Sequence, residues 1–194
     1  MRTLQQPLFT PETEWVPPER LPDLSSHSEV AIDLETRDPN LLTMGSGSVR
    51  RDGEIVGIAV AVEGWSGYFP IAHEGGGNMD RALVLDWFEE LLQTTSTKIF
   101  HNAMYDVSWI RSLGFYINGG IIDTMIAASL IDENRYSYTL DSVGKDYIGM
   151  RKNEKLLQDA AKDFGVNPKA EMWKLPAPFV GEYAEKDAEI TLKL

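Results

Sequence analysis

The chain has no cysteine. That excludes disulfides and thiolate metal sites and fits a cytoplasmic setting. Histidine is scarce, with three in the chain, and no pair stands at ligand spacing, so zinc is not the metal this composition suits. No apolar run is long enough to span a bilayer. Met1–Leu8 lacks the basic-then-apolar layout of a signal peptide, and no membrane partner is expected. Basic residues are few: 18 Lys and Arg face 30 Asp and Glu, a formal net charge of −12. This shortage argues against tight independent binding of duplex nucleic acid, which draws on Lys and Arg. It leaves metal-dependent phosphate chemistry open. Bound divalent ions would offset charge where a phosphate lands, or a neighbouring domain would supply the basic surface.

What is present suits one folded domain. The 194 residues are 43% hydrophobic and 25% charged, enough for a sizeable core. Residues 1–28, rich in Pro and polar side chains, read as an extended lead-in with room for a short edge strand, and 29–194 as the domain. Strands are expected at Val30–Leu34, Ile55–Val62, Gly67–Ile71, Lys98–Phe100 and Ile121–Asp123. Helical spacing of apolar residues marks Arg81–Leu92, Ala103–Leu113, Thr124–Ile131, Tyr138–Tyr147, Glu154–Phe164 and Phe179–Leu194. Pro39–Asp52 and the glycine-rich Glu74–Asn78 read as mobile loops, and Pro168–Pro178 as a loop. Strands that come first and then alternate with helices imply an α/β fold, a mixed sheet with helices packed on it.

Four acids in three segments have contexts suited to a hard cation. Asp33 and Glu35 are two apart on a strand, so they share a face while Ile32 and Leu34 point into the core. Adjacent carboxylates repel unless a cation sits between them; otherwise this is a strand end with its polar face in water. Asn102 stands where a helix N-cap belongs. Asp106 follows near the helix start, where the dipole favours its ionised form. Tyr183 and Asp187 are spaced i,i+4 on one helical face. Their stripe includes the small residues Ala184, Ala188 and Thr191, which permit close packing on the sheet. The tyrosine would hold or deprotonate a water; otherwise the pair is a surface Tyr beside an exposed acid. Asp123 reads as the cap of the helix that follows it, and His101 as a satisfied structural histidine. Oxygen ligands without thiols or paired histidines suit Mg²⁺ or Mn²⁺. Two such ions close together are the usual machinery for cutting a phosphodiester.

Taken together, Asp33-Leu34-Glu35, Asn102 to Asp106 and Tyr183 to Asp187 resemble, in order, the motifs of the Tyr-containing branch of the DEDD exonuclease superfamily. Tyr68-Phe69-Pro70-Ile71-Ala72-His73, Ile122-Asp123-Thr124-Met125 and Thr139-Leu140-Asp141-Ser142-Val143 are similar to the proofreading domain of polymerase I-type (family A) DNA polymerases. The likeness runs from about Val30 to the C-terminus. It implies a ribonuclease H-like mixed sheet flanked by helices. It implies 3′→5′ hydrolysis of single-stranded DNA ends to nucleoside monophosphates with two divalent ions, Mg²⁺ or Mn²⁺. By the same resemblance Asp33, Glu35 and Asp187 hold the tighter ion, Asp33 bridges to the second with Asp106 assisting, and Tyr183 orients the attacking water. Thr36, Leu41 and Asn102 contact the terminal nucleotide; the loop carrying Leu41 departs in spacing from the family pattern. The implied setting is a bacterial or phage-infected cell, and the implied partner is a polymerase domain or subunit. The family's polymerase motifs are not found in the chain. An RNase D-like exoribonuclease, with the same acids and tyrosine, and an inactive nucleic-acid-binding or scaffold domain are the alternatives.

Overall fold

The computed structural model describes residues 12–194. Among these residues five strands form one sheet: β1 Glu29–Arg37, β2 Glu54–Val62, β3 Trp65–Pro70, β4 Thr97–Phe100 and β5 Ile121–Asp123. Their order is β3-β2-β1-β4-β5. The first three run antiparallel, and β4 and β5 join β1 in parallel. Among the described residues eight α-helices accompany the sheet: α1 Leu41–Met44, α2 Gly47–Arg50, α3 Arg81–Gln93, α4 Ala103–Ser112, α5 Thr124–Ile131, α6 Leu140–Ile148, α7 Lys155–Phe164 and α8 Gly181–Lys193. Each expected strand and longer helix is present, with ends moved by up to three residues.

Alternation along β1 sorts its side chains onto two faces. Val30, Ile32 and Leu34 join Ile58 and Val60 of β2, Phe88 and Leu92 of α3 and Trp109 and Ile110 of α4 in one core. The other face is built from small residues. Ala31, Ala59 and Ala61 of the sheet meet Ala184 and Ala188 of α8, all essentially sealed from water. Small side chains on both sides let the helix lie close to the sheet. The next residues of β1 on this face are Asp33 and Glu35, so the packing of α8 brings Tyr183 and Asp187 to them.

Three expectations are corrected. Residues 12–28 contain no strand; Met1–Pro11 lie outside the described residues. The lead-in instead straps α8: the Trp15 indole donates to Glu185 at 2.9 Å and covers Gly181, where a Cβ would stand 2.0 Å from the ring. Pro39–Asp52 is an ordered pair of short helices, α1 and α2. Asp38 accepts from the Gly47 N–H at 2.9 Å and pairs with Arg50, which also holds Asp52 and the Gly45 carbonyl. Glu74–Asn78 is likewise tied down. Glu74 N–H donates to the Trp173 carbonyl, Ala177 N–H to the Gly76 carbonyl, and the Asn78 side chain bonds the His73 backbone twice. Gly75 is required there because a Cβ would meet the Pro176 nitrogen at 2.2 Å.

Gly57 has a similar role beneath the site. Tyr68 is fully buried and lies across it, so a Cβ at Gly57 would come within 2.0 Å of the phenol oxygen. That hydroxyl cannot swing away cheaply. It donates to His73 Nε2 at 2.6 Å, and His73 Nδ1 donates to the Leu175 carbonyl at 2.9 Å. Burial pushes His73 down to about 4, which keeps the ring neutral and Nε2 an acceptor. Gly57→Ala is therefore expected to destabilise the protein by ~1–3 kcal/mol, the usual cost of overpacking. Urea unfolding measures it; an unchanged midpoint would mean that Tyr68 is not wedged as described.

Candidate active site

β1 outruns its parallel partner. The β1–β4 ladder ends at Ala31 and Ile99, while β1 continues to Arg37. The exposed edge is taken over by the start of α4. Asp106 there accepts from the Leu34 N–H at 3.1 Å, which ties α4 to the strand that carries Asp33 and Glu35. A register shift against β2 follows directly after Glu35.

Asn102 does not cap α4 as expected. Its backbone is left-handed, with φ of +71°, and its side chain makes no capping bond among the described residues. Asp123 does the work for two helices. Its carboxylate accepts from the N–H groups of Asn102 and Ala103 at 3.1 and 2.8 Å and from Met125 and Ile126 at the start of α5. His101 is structural: Nε2 donates to the Tyr138 carbonyl and Nδ1 pairs with the Thr124 hydroxyl, both at 2.8 Å.

The four acids share one low-dielectric neighbourhood. Asp106 and Asp187 are 4% and 3% exposed, so Asp187 is not the exposed acid allowed by the sequence; Asp33 and Glu35 are half-buried. Burial, then the charge of Asp187, pushes Asp33 up to about 7. Burial followed by Asp33 lifts Glu35 well above the carboxylate range. The same two causes lift Asp106, against the opposing Leu34 N–H bond; desolvation outweighs the helix dipole that favours its ionised form. Asp187 is also raised by burial. One of its oxygens, Oδ1, is buried with no hydrogen-bond partner among the described residues. A buried acceptor left open in this way is costly and calls for a partner.

The other oxygen has one that the sequence did not reveal. Lys152, between α6 and α7, donates to Asp187 Oδ2 at 2.5 Å and to the Tyr183 hydroxyl at 3.2 Å. Burial alone would depress its ammonium, but Asp187, Asp33 and Glu35 hold it above its usual value. Tyr183 is raised as well, by burial and then by Asp187, Glu35 and Asp33. Its phenol thus stays protonated at neutral pH in the metal-free site. Lys152 sits in Arg151-Lys152-Asn153-Glu154, a polar stretch with no pattern to distinguish it from a solvated loop.

Two concavities meet at this lysine. One, of about 690 Å³, is lined by Glu35, Tyr183, Arg151, Lys152 and Lys169 among others. The other, of about 450 Å³, is lined by Asp33, Asn102, Met125 and Lys152 among others. A hollow of about 760 Å³ at the far end of β1 and α8 is lined by none of the four acids. Thr36 bonds the Tyr105 hydroxyl at 2.7 Å, and Leu41 opens α1 with 38% of its surface exposed.

The donor set suits a hard divalent cation: four carboxylates, one with an open buried oxygen, no sulfur and no histidine. Among the described residues no three acids close into a ready ligand cluster; the Lys152 ammonium is the cation among them. A family model described as 3′–5′ exonuclease matches residues 12–194. The chain belongs to that family, in its DNA polymerase A-type form. A DNA-directed DNA polymerase of Pseudomonas phage M6 is 40% identical, over the whole of this chain and 30% of its own length. DNA polymerase DpoZ of Salmonella phage PMBT28 is 29% identical over 89% of this chain and 26% of its length. The exonuclease chain thus spans under a third of these relatives. Trypanosoma brucei RNase D superposes with a TM-score of 0.64 at 20% identity, over 89% of this chain and 58% of that one. The shared fold is the ribonuclease H-like mixed sheet of DEDD exonucleases, as expected. No helix among the described residues is long and apolar enough to cross a membrane.

The raised acids set the pH behaviour of the metal-free exonuclease. A carboxyl raised in the fold binds more protons folded than unfolded, so stability declines as pH rises between the two values. For Asp33 that window runs from its ordinary 3.8 to about 7. The melting temperature in EDTA is expected to fall from pH 5 to pH 8, and less steeply in Asp33→Asn. Parallel pH profiles of the two proteins would show that Asp33 does not carry this strain.

Proposed function

We propose that this exonuclease removes nucleotides from the 3′ end of single-stranded DNA, using two divalent ions, Mg²⁺ or Mn²⁺, and that it proofreads for a DNA polymerase. The observation that carries the reading is the set of four carboxylates delivered by β1, α4 and α8, with Asp106 and Asp187 buried, Asp33 and Glu35 half-buried, and Oδ1 of Asp187 left open. Asp33, Glu35 and Asp187 would hold one ion, and Asp33 with Asp106 the other. Bound there, divalent ions supply charge neutralisation at the phosphate and a water acidic enough to ionise near neutral pH.

The residues of the chain supply positioning and a dry, shaped setting. The protonated Tyr183 phenol holds the attacking water. Leu34 N–H fixes Asp106. Asn102, exposed at the concavity that Asp33 lines, would meet the terminal nucleotide, and Leu41, exposed on α1, would join it. Thr36 would contact it while keeping its bond to Tyr105, because a hydroxyl both donates and accepts. The open, partly apolar concavities suit unstacked bases better than a duplex. DNA is favoured over RNA by kinship with the phage polymerases, which also supports a polymerase as partner; the likeness to RNase D is one of fold.

Labelled single strands of DNA and RNA with Mg²⁺ or EDTA test this. A ladder of mononucleotide steps from the 3′ end of DNA, abolished by EDTA, is expected. Digestion in EDTA, cutting within a circular strand, or a preference for RNA would count against the respective part. Tyr183→Phe should lower kcat ~10²-fold, in the range of a positioned group, with Mn²⁺ binding unchanged. Asp33→Ala should lose both. Wild-type turnover in Tyr183→Phe would reduce that residue to packing.

A further inference from the structure

We propose that Lys152 is the resident counter-ion of the metal-free site, and that metal binding exchanges its ammonium out of the acids and onto a phosphodiester of the incoming strand. The inference rests on the metal-dependent reading above and adds a coupling between metal and substrate.

Three observations support it. The ammonium bonds Asp187 Oδ2 at 2.5 Å and the Tyr183 hydroxyl at 3.2 Å, so it holds the two residues of α8 on which that reading depends. The other oxygen of Asp187 is buried and open, so a cation seated there would share a carboxylate with Lys152. An ammonium that close to a divalent ion is repelled, and the charge it balanced is balanced instead by the ion. Finally, the side chain has somewhere to go. It lies on the connection between α6 and α7, not within either helix, and lines both concavities. In the larger one it is joined by Arg151 and Lys169, with the acids Glu35, Asp141 and Glu154 also in the lining. A phosphate-bearing strand entering that cleft is the acceptor an ammonium driven off the acids would meet.

The test compares the protein with Lys152→Met. Lys152→Gln, which keeps a donor for Asp187, replaces it if the methionine variant does not fold. Free Mn²⁺ is followed by electron paramagnetic resonance during titration. The variant is expected to bind the first ion at least about tenfold more tightly, because a unit-charge competitor is gone. In EDTA it should melt several degrees lower, and with saturating Mn²⁺ the two proteins should converge. With Mn²⁺ present, anisotropy of a labelled phosphorothioate single strand should show weaker binding by the variant. The slope of log K against log salt should be smaller by about 0.7, the signature of one lost phosphate contact on a single strand. Equal or weaker Mn²⁺ affinity in the variant overturns the exchange and leaves Lys152 as a support for the ligands. An unchanged salt slope overturns delivery to the strand. Failure of both proteins to bind Mn²⁺ would instead remove the metal reading, and the exchange with it.

Discussion

Burying like charges is the constraint around which this molecule is arranged. Asp33, Glu35, Asp106 and Asp187 are each pushed toward protonation by burial, and Asp33, Glu35 and Asp106 also by a neighbouring acid. Left alone, such a cluster would open or take up protons. The fold holds it closed from several directions. The Ala31–Ala59–Ala61 surface draws α8 onto the sheet. The unpaired Leu34 N–H of β1 draws in Asp106. Trp15 clamps the first turn of α8 from outside.

The same constraint explains the chemistry the site can do. A group of acids that must take up protons or a cation to stay close together is suited to binding cations. In the metal-free molecule Lys152 supplies one positive charge, which leaves the cluster undercompensated and Asp187 Oδ1 open. On the proposed reading, the strain is stored where hydrolysis of a phosphodiester would need positive charge. It also keeps Tyr183 a phenol in the metal-free molecule.

Much of this was legible in the residues. The period-two pattern of β1 sorted Asp33 and Glu35 from Ile32 and Leu34, and the i,i+4 stripe of α8 put Tyr183, Asp187 and Ala184 on the sheet side. The order of the three motifs carried the family. What could not be read depended on contacts distant in sequence. Asn102 had the composition of a cap, but Asp123, 21 residues on, takes its place. Glu74–Asn78 looked mobile because glycine permits mobility; here the glycines permit close approach to Pro176 and Pro178. Asp38 and Arg50 order a segment whose Gly and Ser content reads as loose. Lys152 was missed because a lone lysine in a polar loop has no local mark. Its meaning comes from Asp187, 35 residues away.

The most direct test of the convergence is the anomalous scattering of Mn²⁺ in crystals of this exonuclease, located at the manganese edge. The account predicts a peak among Asp33, Glu35 and Asp187, with the Lys152 ammonium no longer on Asp187. Mn²⁺ bound elsewhere, with the Lys152–Asp187 bond intact at saturating metal, would contradict it.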